Sequence, residues 1–401
     1  MKKYYIFSIY LLSLSFIIIN SKNLDILNFQ QESDEEEEYI FLPKSEYVRF
    51  IGRYIIKDDI MWLTQSGSGI EFYVNATYGE IYMIGEENLM TQSSAQRPRF
   101  ALYIDDKLDY EDIIIDPNDY IYFNNLDDIE HKIKFILISE ATNGGIGIES
   151  INVPSNIIKP TKEKKLKIEF IGDSITCANG VEAESWSDPF KTTTENIVKS
   201  YAYIAAEKLN ADYSFVSYTG ARIMADESGN DKDVLPKIYT KAGVFSEYNK
   251  EWDFDNNKND IIFINLGSND CKYVMSEPKI RDDAFIQEYA NFLELIRKKN
   301  PDSIIICSIG IMGAYYMLPL IEKAVLLIGD NKIKSLKLPS QEASINTGAQ
   351  FHPNANTHKR ISETVVEEIQ DFVDQIKFEN KFCITYLKGI DVKIEKCKLK
   401  K

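Results

Sequence analysis

The chain is poor in histidine, cysteine and tryptophan, with three, five and three of them among 401 residues. Its cysteines (Cys177, Cys271, Cys307, Cys383, Cys397) have no zinc-ligand spacing and are too sparse for a disulfide scaffold, and an odd count leaves at least one unpaired. Cys307, within Ile304-Ile305-Ile306-Cys307, reads as a buried thiol, while Cys383 and Cys397 flank a hairpin-like tail and can pair in an oxidising compartment. The chain also lacks a Gly-rich dinucleotide loop and a run of metal ligands, so neither metal nor organic cofactor is implied. Basic residues are outnumbered, 46 Lys and Arg against 62 Asp and Glu, for a formal charge of −16. That balance disfavours nucleic acid and anionic membranes as partners and suits a neutral, hydroxyl-rich substrate. Beyond the first twenty-odd residues no segment is apolar enough to span a bilayer.

Aromatic residues are plentiful: 24 Tyr and 21 Phe. Most belong to strands and core, and the remainder suit stacking on sugar rings. Residues 1–21 carry Lys2 and Lys3, then an almost wholly apolar stretch, and read as a secretory signal peptide cut near Ser21. A retained anchor is the competing reading, although the apolar run would extend only about 25 Å as a helix against a hydrocarbon core of about 30 Å. Secretion to the extracellular space, with no membrane association after cleavage, is the expectation. Residues 22–38, containing Glu32-Ser33-Asp34-Glu35-Glu36-Glu37-Glu38, read as a solvated acidic linker.

From 39 to 154 short β-rich segments alternate with turn residues: 47–51, 70–74, 80–84, 99–104, 120–123, 132–138 and 146–153. This spacing predicts an all-β sandwich or jelly roll. After a Lys-rich boundary at 157–165, strands and amphipathic helices alternate over a second domain, 160–380, followed by a tail at 381–401. Strands are expected at 168–171, 213–216, 261–266, 303–308 and 333–338, and helices at 194–209, 283–298, 316–327 and 356–376. Such alternation predicts a three-layer α/β arrangement, a flavodoxin-like parallel sheet between helices.

The first strand of that domain stops at Gly172-Asp173-Ser174, which puts a serine hydroxyl on the turn leaving a strand's carboxyl end, where open α/β sheets bind ligands. A serine nucleophile needs a base, and three histidines make the search short. His131 lies beside Glu130 and Lys132, and His358 beside Lys359 and Arg360, so both read as exposed; His352 precedes Pro353 in a loop and is the favoured base. For the oxyanion the candidates are the amide of Ser174, the amide of Gly220 after the second strand and the side chain of Asn269 after the third. Each alone is an ordinary turn or cap residue. Trp186 and Phe351 are candidate sugar platforms.

Gly172-Asp173-Ser174, Gly267-Ser268-Asn269-Asp270 and His352-Pro353, in that order, resemble the SGNH/GDSL hydrolases. Gly52-Arg53, Trp62 and Ser66-Gly67-Ser68-Gly69, with Thr194-Glu195-Asn196 and Tyr201-Ala202, resemble carbohydrate esterase family 2 over about residues 47–377. The resemblance implies a jelly-roll domain ahead of an SGNH-hydrolase domain and removal of acetyl groups from plant polysaccharides. It implies Ser174 as nucleophile, His352 as base and Ser174, Gly220 and Asn269 as oxyanion donors. The chain departs from the pattern before its histidine, where Ala349 replaces the usual aspartate and Gln350-Phe351 stands where Asp-Trp is common. What remains is a Ser–His dyad, with the imidazole oriented by a backbone carbonyl or by Gln350. The expected activity is that of a secreted acetyl-carbohydrate esterase acting on an acetylated polysaccharide or oligosaccharide. Other short-acyl esterases, an acetyl transferase, and a non-catalytic carbohydrate-binding protein stay open as alternatives.

Overall fold

The structure, a computed structural model, describes residues 38–389 apart from 87–88, 90–91, 233, 244–249 and 342–346, with side chains as far as Ile376. The leader, the acidic run as far as residue 37 and the Cys383–Cys397 pairing lie outside the described residues. The first part is all β: β1 (Tyr39–Phe41), β2 (Arg49–Ile51), β3 (Tyr54–Lys57), β4 (Ile60–Leu63), β5 (Gly69–Asn75), β6 (Gly79–Gly85), β7 (Arg99–Ile104), β8 (Lys107–Ile113), β9 (Asn118–Phe123), β10 (Glu130–Leu137), β11 (Ile146–Val153) and β12 (Ile158–Pro160). These form two six-stranded antiparallel sheets, ordered β3-β4-β11-β6-β9 with β1 on β11, and β12-β5-β10-β7-β8 with β2 on β5. In β6 every second residue is buried, as the two-residue period of a half-covered strand demands. Ile81, Met83 and Ile148 of one sheet share a core with Ile70, Phe72 and Phe135 of the other.

Strands β1, β3, β4, β8 and β12 were not expected. Four of them are only three or four residues long, and β8 is a largely charged edge strand with no buried residue. The missed signals are Asp58-Asp59 and Asp105-Asp106. Both pairs adopt positive φ and join β3 to β4 and β7 to β8 as two-residue hairpins. Ile158–Pro160, read as boundary, extends a sheet by pairing with β5.

The second part contains β13 (Leu166–Gly172), α1 (Tyr201–Lys208), β14 (Ala211–Ser217), α2 (Leu235–Ile238), β15 (Ile261–Asn265), α3 (Cys271–Ser276), α4 (Ile280–Lys299), β16 (Ile304–Ile311), α5 (Leu318–Ile328), β17 (Ile333–Ser340) and α6 (Ala355–Gly389). Its five strands are all parallel, in the order β14-β13-β15-β16-β17. Ile168 and Phe170 turn toward α1 and α6 on one face, while Ile171 turns toward α4 and α5 on the other. Two expectations need correction. The helix predicted at 194–209 is an α-helix only from Tyr201, because the Asn196 and Ser200 side chains accept the amides of Val198 and Tyr203 and each starts a new turn. The last helix does not stop near 376 but continues to Gly389, so the start of the supposed hairpin-like tail is helical.

A fully buried ion pair joins the two parts. Arg53, just before β3, donates to Glu169 on β13 at 2.8 Å, and to the carbonyls of Tyr239 and Lys241 at 2.5 and 2.7 Å. Both side chains are 0 % exposed, Tyr239 donates its hydroxyl to Glu169 at 2.8 Å, and the guanidinium lies over the rings of Tyr239 and Phe254. Truncating one partner leaves a buried charge unpaired, so Arg53→Met is expected to cost about 3–5 kcal/mol in urea unfolding. A loss below about 1 kcal/mol, the scale of an exposed pair, would contradict this reading of the junction.

Candidate active site

The order β14-β13-β15 means that the chain leaves its first strand between the second and third, the switch point at which doubly wound sheets hold ligands. Register aligns Ser217, Gly172 and Asn265 across these neighbouring strand ends. Ser174, Gly220 and Asn269 therefore follow three adjacent strands on the same edge of the sheet.

Ser174 sits on a tight turn. The Asp173 carbonyl accepts the Thr176 amide, the Ser174 carbonyl accepts the Asn179 amide, and an Asp173 carboxylate oxygen accepts the Ile175 amide at 3.0 Å. Burial pushes the Asp173 carboxyl up to about 7. His352 arrives on a second loop pressed against the first. The Ala349 amide donates to the Gly180 carbonyl at 3.1 Å, and the Gly348 amide donates to the His352 carbonyl at 2.7 Å. A side chain at Gly348 would meet the Gly180 carbonyl at 2.1 Å, and one at Gly180 would meet the Ala349 methyl at 2.5 Å. Only glycines allow this approach.

The two loops meet in one contact: His352 Nε2 lies 2.8 Å from Ser174 Oγ, and His352 Nδ1 lies 3.0 Å from the Ala349 carbonyl oxygen. A carbonyl can only accept, so the proton resides on Nδ1 and Nε2 accepts from the serine hydroxyl. Gln350 is solvent-exposed and in a left-handed conformation (φ 52°), as is Phe351 (φ 62°). Burial lowers the pKa of His352, and the Ala349 bond only partly offsets this.

Around this pair, Asn269 donates Nδ2 to the Ala221 carbonyl at 2.9 Å, which leaves its second N–H for another acceptor. Gly220 has φ 79°, with no atom within 4 Å of where a side chain would begin. The Ser174 and Gly220 turns are linked by Asn179, whose side chain donates to the Thr219 hydroxyl at 3.1 Å. Arg222 lies behind this loop and donates to the carbonyls of Gly220, Asn230 and Lys232. Phe351 and Trp186 stack on each other, with centroids 4.7 Å apart and planes 20° apart, and each remains about half exposed.

Residues 168–388 match the family described as GDSL-like lipase/acylhydrolase. The chain belongs to that family. That description names lipase and acylhydrolase chemistry, the cleavage of carboxylic esters. Over 249 residues it is 30% identical to the cellulase/esterase CelE of Acetivibrio thermocellus, a match covering 60% of this chain and 30% of that protein. The chain thus spans well under half the length of this curated relative. Its fold is similar to that of an acetyl xylan esterase from the rumen bacterium Butyrivibrio proteoclasticus (TM-score 0.76, 20% identity, 84% of this chain and 98% of the other). It is also similar to a family two carbohydrate esterase from Clostridium thermocellum in complex with cellohexaose (TM-score 0.74, 24% identity, 82% and 99%).

Two groups around the site were not read from the sequence. Asp270, beside Asn269, accepts the amides of Ile223, Met224 and Ala225, and burial pushes its carboxyl up to about 6 against those bonds. Glu140, from the loop after β10, reaches under the nucleophile turn. Among the described residues, Glu140, Cys177 and Glu195 bring potential ligand atoms within 4.8 Å of one another. Burial raises the pKa of the Cys177 thiol and of the Glu195 carboxyl well above their ordinary values, and the Cys177 thiol donates to Glu140. The three groups are joined by hydrogen bonds, from the Cys177 thiol to Glu140 and from the Glu140 amide to Glu195.

Neither remaining histidine is exposed, contrary to expectation. His131 is clamped between Asp105 and the Asp127 carbonyl. His358 is fully buried, accepts the Tyr201 amide at Nδ1 and stacks on the Tyr201 ring. Burial, then the nearness of His352, lowers the His358 pKa to about 3, whereas Asp105 and the Asp127 carbonyl outweigh partial burial and raise that of His131. An NMR titration should therefore find His131 titrating above the ordinary value of about 6.5, His352 below it, and His358 neutral down to about pH 4. A His352 midpoint at or above the ordinary value would contradict the desolvated site.

Proposed function

We propose that this protein is a secreted esterase removing O-acetyl groups from plant cell-wall polysaccharides by a Ser–His mechanism. The observation that carries the reading is the hydrogen-bond path from the Ala349 carbonyl through the His352 imidazole to the Ser174 hydroxyl. Ser174 Oγ attacks the acetyl carbonyl while its proton passes to Nε2. The amides of Ser174 and Gly220 and the free N–H of Asn269 stabilise the oxyanion, and Nε2 returns the proton to the departing sugar oxygen. Water then repeats the sequence and releases acetate. The Ala349 carbonyl selects the productive tautomer by geometry, although it cannot balance the imidazolium charge as a carboxylate would. The Trp186–Phe351 pair beside the histidine, together with the chain's net negative charge, supports a neutral sugar polymer as substrate.

Acetate release from acetylated xylan and from p-nitrophenyl acetate tests this. Ser174→Ala should abolish both while leaving thermal unfolding unchanged, and turnover by the folded variant would sink the mechanism. Asn269→Ala should lower kcat about 10²–10³-fold at nearly constant KM, the cost of one oxyanion donor. Gln350→Ala should stay within about tenfold of the parent if the carbonyl orients the base. Since only neutral imidazole accepts the proton, kcat/KM should fall with acid, with its acid limb below about pH 6.5. An acid limb above that value would contradict the assignment of His352 as base.

A further inference from the structure

The turn that carries Gly220 is held from outside its own sheet. Glu140 follows β10 of the sandwich and is 3% exposed. One of its carboxylate oxygens accepts the Thr219 amide at 2.7 Å and the Cys177 thiol at 3.4 Å, while the other accepts the Thr142 hydroxyl. Cys177 belongs to the nucleophile turn, its sulfur 3.5 and 3.7 Å from the carbonyls of Asp173 and Ser174. Glu140 is itself fixed at both ends. Its amide donates to the Glu195 carboxyl at 3.1 Å, and two residues earlier the Ile138 carbonyl accepts the Ile197 amide at 2.9 Å.

We infer that Glu140 is a positioning residue for the oxyanion site, its carboxylate aiming the Thr219–Gly220 turn from across the junction with the β-sandwich. The inference rests on the esterase reading above, in which the Gly220 amide is a donor. An oxyanion hole works only if its donors already point at the site where charge develops. Gly220 lies at positive φ with no atom beyond its chain neighbours within 4 Å of where a side chain would begin, so no packed side chain of its own sets the direction of its N–H. That direction is left to the turn, which the Ala221 amide closes on the Tyr218 carbonyl and Arg222 holds at the Gly220 carbonyl. The peptide one residue earlier is pinned, and by an oxygen that also holds the nucleophile turn. One side chain therefore fixes both loops relative to each other. The sandwich thereby contributes to the rate as well as to stability.

The test compares Glu140→Gln with Glu140→Met on p-nitrophenyl acetate, with Ser174→Ala alongside and folding followed by thermal unfolding. Gln keeps an oxygen for the Thr219 amide and can offer its NH₂ to the Thr142 hydroxyl; Met fills the same volume and accepts nothing comparable. The expected result is a kcat loss of about 10–100-fold for Glu140→Met with KM within about twofold, and Glu140→Gln within about threefold of the parent. A purely structural role would lower the unfolding temperature of both variants and leave kcat of the folded fraction alone. The inference is overturned by parental kcat in folded Glu140→Met, by a change confined to KM, or by Glu140→Gln being as impaired as Glu140→Met. Should Glu140→Met not fold, Glu140→Asp, which draws the acceptor back by one methylene, decides. A kcat loss of about threefold or more at constant KM supports the inference, and parental kcat overturns it. Turnover by Ser174→Ala would instead defeat the esterase reading itself, whatever the Glu140 variants do.

Discussion

Much of the site's geometry follows from one hydrogen bond, that between Nδ1 of His352 and the carbonyl of Ala349 three residues earlier. A side-chain carboxylate can orient an imidazole from a distance, but a local carbonyl can do so only if the chain doubles back tightly. Gln350 and Phe351 therefore both adopt left-handed backbone, a conformation costing roughly 1–2 kcal/mol for each such residue. The loop can hold that shape because its base is closed by the Gly348 and His352 main-chain bond and pressed on Gly180. With the loop set this way, Nε2 is delivered onto Ser174. Ala349 is fully buried against Gly180, where a side chain in place of the glycine hydrogen would collide with the Ala349 methyl.

The sandwich also grips two strands of the parallel sheet away from the edge that carries the site. Arg53 neutralises Glu169 in the middle of β13, the strand that ends at the nucleophile turn. Arg49 ties Glu71 of β5 to Asp212 of β14, the strand that leads to Gly220. These are costly groups to bury, and each is paired and held by further hydrogen bonds, the condition under which a buried ion pair is tolerated. The two strands that carry the nucleophile and the glycine turn are thus each anchored to the β-rich part by a named arginine.

The sequence was most legible where a pattern has one physical cause. Apolar runs ending in Gly-Asp-Ser and in Gly-Ser-Asn-Asp read as buried parallel strands opening into turns, and β13 and β15 lie there. The missed strands β1, β3, β4 and β12 are three or four residues long, too short to show a period, and β8 is largely charged and buries no residue. The histidines misled for a different reason. His131 and His358 have charged neighbours in sequence, but a strand or helix turns successive side chains in different directions, so Glu130 says nothing about where His131 points. Glu140 left no trace, since its partners Cys177, Glu195 and Thr219 come together only through packing. Asp270 was within reach: an acid directly after the candidate oxyanion asparagine is a natural acceptor for a neighbouring loop's amides.

The central claim is that Ser174 becomes acylated through His352. The most direct measurement is acid quenching of the protein during turnover of p-nitrophenyl acetate, followed by peptide mapping by mass spectrometry. The account predicts a single added acetyl group on Ser174, absent in Ser174→Ala and strongly diminished in His352→Ala. An acetyl group on another residue, or turnover by a protein in which Ser174 is never modified, would contradict it.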